Sequence, residues 1–492
     1  MPEKKESRLE LIESIAKRRG FFWPAAEIYG GIAGFWNYGP LGTALKNKLV
    51  QQWRKEFVKN EGAHEIETTD ILPEIVWVAS GHAEGFNDKQ TVCKKCKNRF
   101  RADHLIEDIV KDIEKLEGKS CEELTEIIKN KNIKCPKCGG QLDDVAIFNL
   151  MFDINLGPKG EIKCYLKPET TQSSVIDFPN VYRSQRGKLP IKIAQIGRSF
   201  RNEISPRQIF IRMREFNMAE LQIFFNPEET KWDSYKSIKD FKVRILPASM
   251  RGKDEKEADV KIEEALKKGW IPNELIAYYI AKVFMFFENV LKIDRKFLRF
   301  KELLPEERAH YAKVHWDFEV FTEEFGWKEN VNNAWRSDYD LKRHQQYSKQ
   351  SLEVFENEKH VLPNMYEPSF GIDRMILHLL LHSYKSDEKR VWMSLPKELA
   401  PFSAAIFPLV NKDGIDKKAE EIYESLKNDS DIFYDESGSI GRRYARADEI
   451  GIPFCVTIDH QTLEDGTVTI RERDTTKQER VKIEKLKEIL NV

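Results

Sequence analysis

The sequence predicts a mixed α/β (α+β) protein: an antiparallel sheet flanked by helices, a metal-knuckle insertion, and a smaller C-terminal α/β domain. Three observations carry this. The run GRSFRNEISPRQIFIRMREFNMAE, Gly197 to Glu220, reads as two antiparallel strands joined by a basic loop. Two Cys-x-x-Cys pairs, Cys93/Cys96 and Cys135/Cys138, bracket a segment of helical periodicity. From Pro396 onward, apolar strand-like runs alternate with helical ones, as in a small α/β unit.

Composition bounds the rest. A chain of 492 residues with 41% apolar content can bury about three cores. Lys plus Arg total 80 against 81 for Asp plus Glu, so any nucleic-acid binding must come from local basic surface. No apolar run is long enough to span a bilayer, so no membrane partner is expected. The N-terminal run MPEKKESRLELIESIAKRRG mixes acids and bases without the apolar segment of a signal peptide, which makes a cytoplasmic location the default. Seven cysteines, four of them in metal-type pairs, argue against a disulfide framework.

Taken in order, residues 1–92 form the first part of a catalytic domain. Leu41, Leu45, Leu49, Trp53 and Phe57 recur every four residues and predict an amphipathic helix. A strand, HEIETTDIL, follows and ends at Pro73. Residues 93–145 form the insertion, in which four thiolates can surround one Zn²⁺ tetrahedrally. The lone Cys121, Cys164 and Cys455 read as small core residues.

Residues 146–395 return to the catalytic domain, with a linking insertion near 226–310. In the hairpin, alternation puts Arg201 and Glu203 on one face of their strand. A guanidinium can grip a phosphate while reaching a carboxylate, and the neighbouring acid can accept from an exocyclic amine. Phe216 offers a flat surface for a base, and Glu220 points into the same cavity. His310, His315 and His344 lack ligand spacing and read as packed or solvated. Residues 396–492 form the last domain, where Arg442, Arg443, Arg446, Arg471 and Arg473 offer either RNA contacts or a solvated face.

The hairpin residues resemble motif 2 of the class II aminoacyl-tRNA synthetases, and the wording RNE followed by REFNMAE is similar to that of the glycyl enzymes. The resemblance covers nearly the whole chain. It implies a class II antiparallel sheet, a motif 1 helix and strand ending at Pro73 that form a homodimer interface, and a C-terminal anticodon-binding domain. The segment YEPSFGIDRMIL resembles motif 3, with Glu367, Ser369, Gly371 and Arg374.

Carried over residue by residue, the resemblance implies ATP contacts from Arg201, Asn202, Glu203, Ile211, Arg212, Arg214, Phe216, Glu329, Asn330, Gly371 and Arg374. The catalytic residues among them are Arg201, Glu203 and Arg374. It implies glycine contacts from Arg101, Glu169, Phe216, Glu220, Glu367 and Ser369. Mg²⁺ would accompany ATP, and Zn²⁺ would sit on Cys93, Cys96, Cys135 and Cys138. The implied activity is that of a glycine–tRNA ligase, with tRNA, ATP and glycine as partners. The segment GWKENVNNAWRSDYDL departs from the family pattern at Asn332, where many relatives carry glycine. Converging carboxylates at Glu169, Glu220 and Glu367 require a cation, which a glycine ammonium would supply. Two other readings stand beside this one: a threonyl or prolyl enzyme of the same subclass, and a non-enzymatic synthetase-like accessory protein that binds nucleic acid.

Overall fold

The computed structural model describes residues 7–490 apart from 111–115, 117, 207, 230, 253–254 and 357. Its centre is a sheet of nine strands, in the order Ala258–Lys261, Lys242–Leu246, Leu298–Glu302, Val314–Thr322, Gly326–Ser337, Asn364–Gly371, Glu215–Phe225, Ile191–Phe200 and His64–Ile66. Neighbours run antiparallel except at two places. Lys242–Leu246 is parallel to Leu298–Glu302, and His64–Ile66 is parallel to Ile191–Phe200.

The predicted amphipathic helix forms over Pro40–Trp53 and continues as a wider-turned segment, Arg54–Lys59. All five residues of its stripe are buried. A strict four-residue spacing drifts about 40° per step around a helix of 3.6 residues per turn. The wider turn corrects that drift and returns Phe57 to the core, against Phe370. The aromatic, Gly-rich stretch before the helix packs against it so closely that a Cβ at Gly42 would lie 1.8 Å from the Phe21 carbonyl. The strand expected to end at Pro73 is divided. His64–Ile66 edges the central sheet, while Ile71–Pro73 pairs with Ile162–Leu166 in a separate sheet of three strands.

Residues 226–310, expected as a linking insertion, supply three strands of the central sheet. Their helix Glu274–Met285 is apolar on nearly every face because it packs within the main core. The cysteine-rich insertion has its own core around Phe100, Ile106, Leu124 and Ile128, beneath the sheet of Arg99–Arg101, Asn87–Val92 and Ala146–Asn149. Helices form over Ala102–Ile109 and Cys121–Asn130; part of the periodic run between them lies outside the described residues. Cys164 and Cys455 are buried, and Cys121 packs against the insertion's core.

The C-terminal sheet orders its strands Ile432–Tyr434, Ala404–Pro408, Phe454–Ile458, Thr467–Glu472 and Gln478–Lys482. Its arginines are mostly internal. Arg471 is paired with Asp448, Arg446 with Asp435, and the Arg443 and Arg473 guanidiniums donate to main-chain carbonyls. Of the five arginines read as RNA contacts or a solvated face, only Arg442 is exposed. Burial without a partner would be too costly for guanidinium, so each internal one is paired.

Candidate active site

One face of the central sheet carries a cavity of about 590 Å³. It collects residues that lie far apart in the chain: Arg101, Glu169, Arg201, Glu203, Ile211, Arg212, Phe216, Glu220, Glu329, Asn330, Glu367, Ser369, Gly371 and Arg374. Register explains the convergence. Glu220 lies opposite Gln195 on one side and Ser369 on the other, and Ala334 lies opposite Glu367. Three adjacent strands therefore present their polar side chains to one floor.

The hairpin loop differs from the expected form. The strand ends at Phe200, so Arg201 and Glu203 share a direction through the turn in which Glu203 N–H donates to Arg201 O, not through strand alternation. Arg201 Nε donates to Pro168 O at 3.1 Å, and its guanidinium stacks over the rings of Phe86 and Phe216 at 5.3 and 5.2 Å. Among the described residues its terminal nitrogens have no hydrogen-bond acceptor, so they remain available to an anion. Arg214 does not reach the cavity. Its three guanidinium nitrogens bond to the carbonyls of Glu203 and Ala33, which fixes the loop. Asn202 is also absent from the lining; its backbone N–H is tied to Leu150 O. Phe210 props the loop from below, packed on Phe22 at 4.7 Å.

Across the cavity, Arg374 Nη1 donates to Glu329 O at 2.6 Å and lies 3.2 Å from a Glu329 carboxylate oxygen. Its Nε donates to Ile211 O. Arg101 is clamped by Asp103 and Asp88, so it lines the cavity as an already neutralised group.

The floor is acidic, and it contains its own cation. Arg336, which is 1% exposed, makes ion pairs with Asp340, Glu169 and Glu367 at 2.7, 3.3 and 3.0 Å. Tyr311 covers the guanidinium at 3.7 Å. Burial alone would raise Glu169, but Arg336 and His82 outweigh it and hold its carboxyl well below the usual range. Burial pushes Glu367 up to about 7 against the pull of Arg336, and burial followed by the charge of Glu169 raises Glu220.

The four knuckle cysteines meet as predicted from their spacing. Cys93 and Cys138 sulfurs are 3.5 Å apart, Cys96 and Cys135 sulfurs 3.6 Å, and all four lie within 4.8 Å of one another. Ligands about 2.3 Å from a tetrahedral ion are separated by similar distances.

Two family models match the chain. The class II tRNA synthetase core domain (G, H, P, S and T) matches residues 158–383, and the anticodon binding domain matches residues 403–492. Glycine–tRNA ligase of Methanocaldococcus jannaschii is 42% identical, with 98% of each chain covered. That of Pyrococcus furiosus is also 42% identical, covering 99% of this chain and 100% of its own. The chain belongs to the glycine–tRNA ligase family. A solved structure titled as the RNA binding domain of threonyl-tRNA synthetase from Cryptosporidium parvum superposes with a TM-score of 0.60 at 17% identity, covering 98% of this chain and 97% of that one. It shares the fold.

Within this glycine–tRNA ligase fold, sequence reasoning missed Arg336, Asp340, Thr171, Gln222 and Asp373. Asp373 accepts from the Asn217 backbone and side-chain nitrogens at 2.6 and 2.9 Å and so fixes the strand beside Phe216. The available signal was Arg336 directly after the apolar pair Ala334 and Trp335 in the strand Gly326–Ser337, since a charged residue buried there needs a partner. His310 and His315, read as packed or solvated, line the cavity.

Proposed function

We propose that this chain activates glycine with ATP and transfers it to the 3′ end of tRNA, with the residues of the cavity in the following roles. The glycine ammonium enters the floor among Glu169, Glu220 and Glu367, beside Ser369. Its carboxylate points towards Arg201, whose terminal nitrogens are free to hold it and the α-phosphate together. That double grip orients in-line attack and offsets charge developing on phosphorus. The carboxylate oxygen bonds to the α-phosphorus, pyrophosphate leaves, and the ribose hydroxyl of tRNA then displaces AMP from the carbonyl. No protein nucleophile is needed.

Adenine lies against Phe216, with Arg374 over its other face and Glu203 accepting from the exocyclic amine. Arg212, 3.7 Å from Glu203, and Arg374 serve the terminal phosphates. Glu329, part-exposed at the cavity beside Arg374, is the acid that fits Mg²⁺ brought with ATP. The metal would offset phosphate charge. Arg214 and Asn202 act indirectly, by fixing the loop.

The observation that carries the amino-acid assignment is the imbalance of the floor. Three carboxyls, Glu169, Glu367 and Asp340, pair with the one guanidinium of the described floor, Arg336, and a fourth, Glu220, is held only by neutral donors. The excess favours a substrate cation. A site with no room beyond the α-carbon would exclude a larger side chain sterically. Membership of the glycine–tRNA ligase family favours glycine over threonine or proline, and the retained Arg201, Glu203, Phe216 and Arg374 disfavour a non-enzymatic accessory role. Glycine-dependent ATP–pyrophosphate exchange tests the assignment. Wild type should exchange, and Arg201→Ala should lose exchange while keeping its fold; near-normal exchange in Arg201→Ala would refute the role.

Cys93, Cys96, Cys135 and Cys138 would hold a structural Zn²⁺, which cross-links the insertion. A homodimer fits the surface near motif 1. Ile71, Ile75, Leu156 and Ile162 are exposed on or beside one small sheet, and Leu156 and Ile162 lie opposite each other. No described helix is long and apolar enough to cross a membrane. Protein synthesis places the reaction in the cytoplasm.

A further inference from the structure

Under the cavity, the Glu220 and Glu367 carboxyls are joined by two donors from different elements. Gln222 Nε2 lies 3.2 Å from Glu220 Oε2 and 2.9 Å from Glu367 Oε1. Thr171 Oγ1 lies 3.1 Å from the same Glu220 oxygen and makes a hydrogen bond with the same Glu367 oxygen. The amide has two hydrogens and can serve both acids. The threonine hydroxyl has one. If both threonine contacts are hydrogen bonds, one of the two carboxyls must itself carry a hydrogen and donate it.

The neighbouring charges point the same way. Arg336 faces Glu367 and Glu169, and is itself held by Asp340 and covered by Tyr311. His82 lies 3.5 Å from Glu169, and His344 bonds to Gln172, which in turn bonds to Glu169 and Asp340. Thr170 and Ser369 add neutral donors to Glu220. Arg336 is therefore the one permanent cation among the described residues of the floor. Ionising Glu169, Asp340, Glu220 and Glu367 together would leave a large buried negative excess.

We propose that Thr171 makes Glu220 and Glu367 a proton-sharing pair, and that the pair releases its proton to solvent when the ammonium of glycine enters. The proposal rests on the reading of this floor as the ammonium site. Charge balances at the step: one positive charge arrives with the substrate and one departs as H⁺. The proton belongs to the pair rather than to either acid. Thr171 is a positioning residue here, 1% exposed and able to report to both carboxyls at once.

Burial pushes the Glu367 carboxyl up to about 7 and raises Glu220 with it. Below that pH the empty pair is protonated, and glycine must displace the proton. Glycine affinity should therefore weaken as pH falls, by up to about tenfold per unit. Above it the pair is already ionised, and release fades.

The test is calorimetric titration of glycine into the full chain, in two buffers of different ionisation enthalpy, across the pH range from about 6 to about 8. The expected result is about one proton released per glycine at the acid end and none at the alkaline end. Thr171→Ser should follow wild type, whereas Thr171→Val, lacking the hydroxyl that bridges the singly protonated pair with two hydrogen bonds, should move the profile downward by about one pH unit. Glycine binding without proton release at the acid end would overturn the proposal, as would an unmoved profile in a folded Thr171→Val. Absence of glycine binding at every pH would instead overturn the ammonium-site reading beneath it.

Discussion

The Arg336 guanidinium and the Asp340 carboxylate meet in a two-point ion pair, Nε to Oδ2 at 2.7 Å and Nη2 to Oδ1 at 2.9 Å, with side chains 1% and 2% exposed. Local chain geometry makes it. The strand ends at Ser337, whose φ of 57° turns the chain into helix Tyr339–Ser348, and the first turn of that helix brings Asp340 back onto the arginine. The pair keeps a cation beneath the acidic floor. It thereby sets how much negative charge is left for a substrate.

Asp340→Asn should leave Arg336 with a poorer buried partner. Removing one member of a buried pair costs about 3–5 kcal/mol, so chemical denaturation should show a loss towards that size. The arginine should also lean further onto Glu169 and Glu367 and weaken the ammonium site. The KM for glycine is expected to rise at least about tenfold, a change of about 1.4 kcal/mol, with the KM for ATP little changed. Equal loss for both substrates would point to general unfolding instead.

Phe216→Ala removes the surface assigned to adenine. Stacking of a base on an aromatic ring is worth about 1–3 kcal/mol, so the KM for ATP should rise about tenfold or more. Glycine-site linkage should survive, because Phe216 lies opposite Ser199 in the hairpin and is not hydrogen-bonded to the carboxylate floor. Steady-state exchange at varied ATP and glycine separates the two effects.

Much of this site was legible because local patterns carried it. The stripe Leu41 to Phe57, the paired cysteines and the residues of the hairpin each have a spacing that chemistry restricts. The carboxylates Glu169, Glu220 and Glu367 were visible through the resemblance to the synthetase motifs. Their resident counter-ion was not. Arg336 becomes meaningful only when the sheet register sets it beside Glu367 and the turn at Ser337 returns Asp340, both of which are tertiary facts. Arg214 shows the converse: the resemblance implied a phosphate ligand, yet the carbonyls of Glu203 and Ala33 take its donors. The strands within 226–310 were hidden because edge and central strands of one sheet came from separated runs.

Metal analysis should find about one Zn²⁺ per chain, and Cys96→Ser or Cys138→Ser should abolish it. Loss of the ion should also lower the melting temperature of the insertion. The sheet that starts beside Cys93 carries Asp88 and Arg101 at the cavity wall, so exchange activity should decline along with it.

Ile75→Asp combined with Ile162→Asp places charge on the exposed apolar surface beside Pro73. Ile75 is 53% and Ile162 54% exposed in the single chain, so neither substitution should disturb its core. Sedimentation should show a dimer for wild type and a monomer for the double variant. A variant that stays dimeric would move the interface elsewhere.

The central claim is that an acidic floor with one buried arginine accepts glycine as its ammonium ion and excludes larger amino acids. The most direct measurement is ATP–pyrophosphate exchange by the purified chain with glycine, alanine, serine, threonine and proline in turn. Exchange with glycine alone is predicted; exchange with any of the other four, or none with any of the five, would contradict the account.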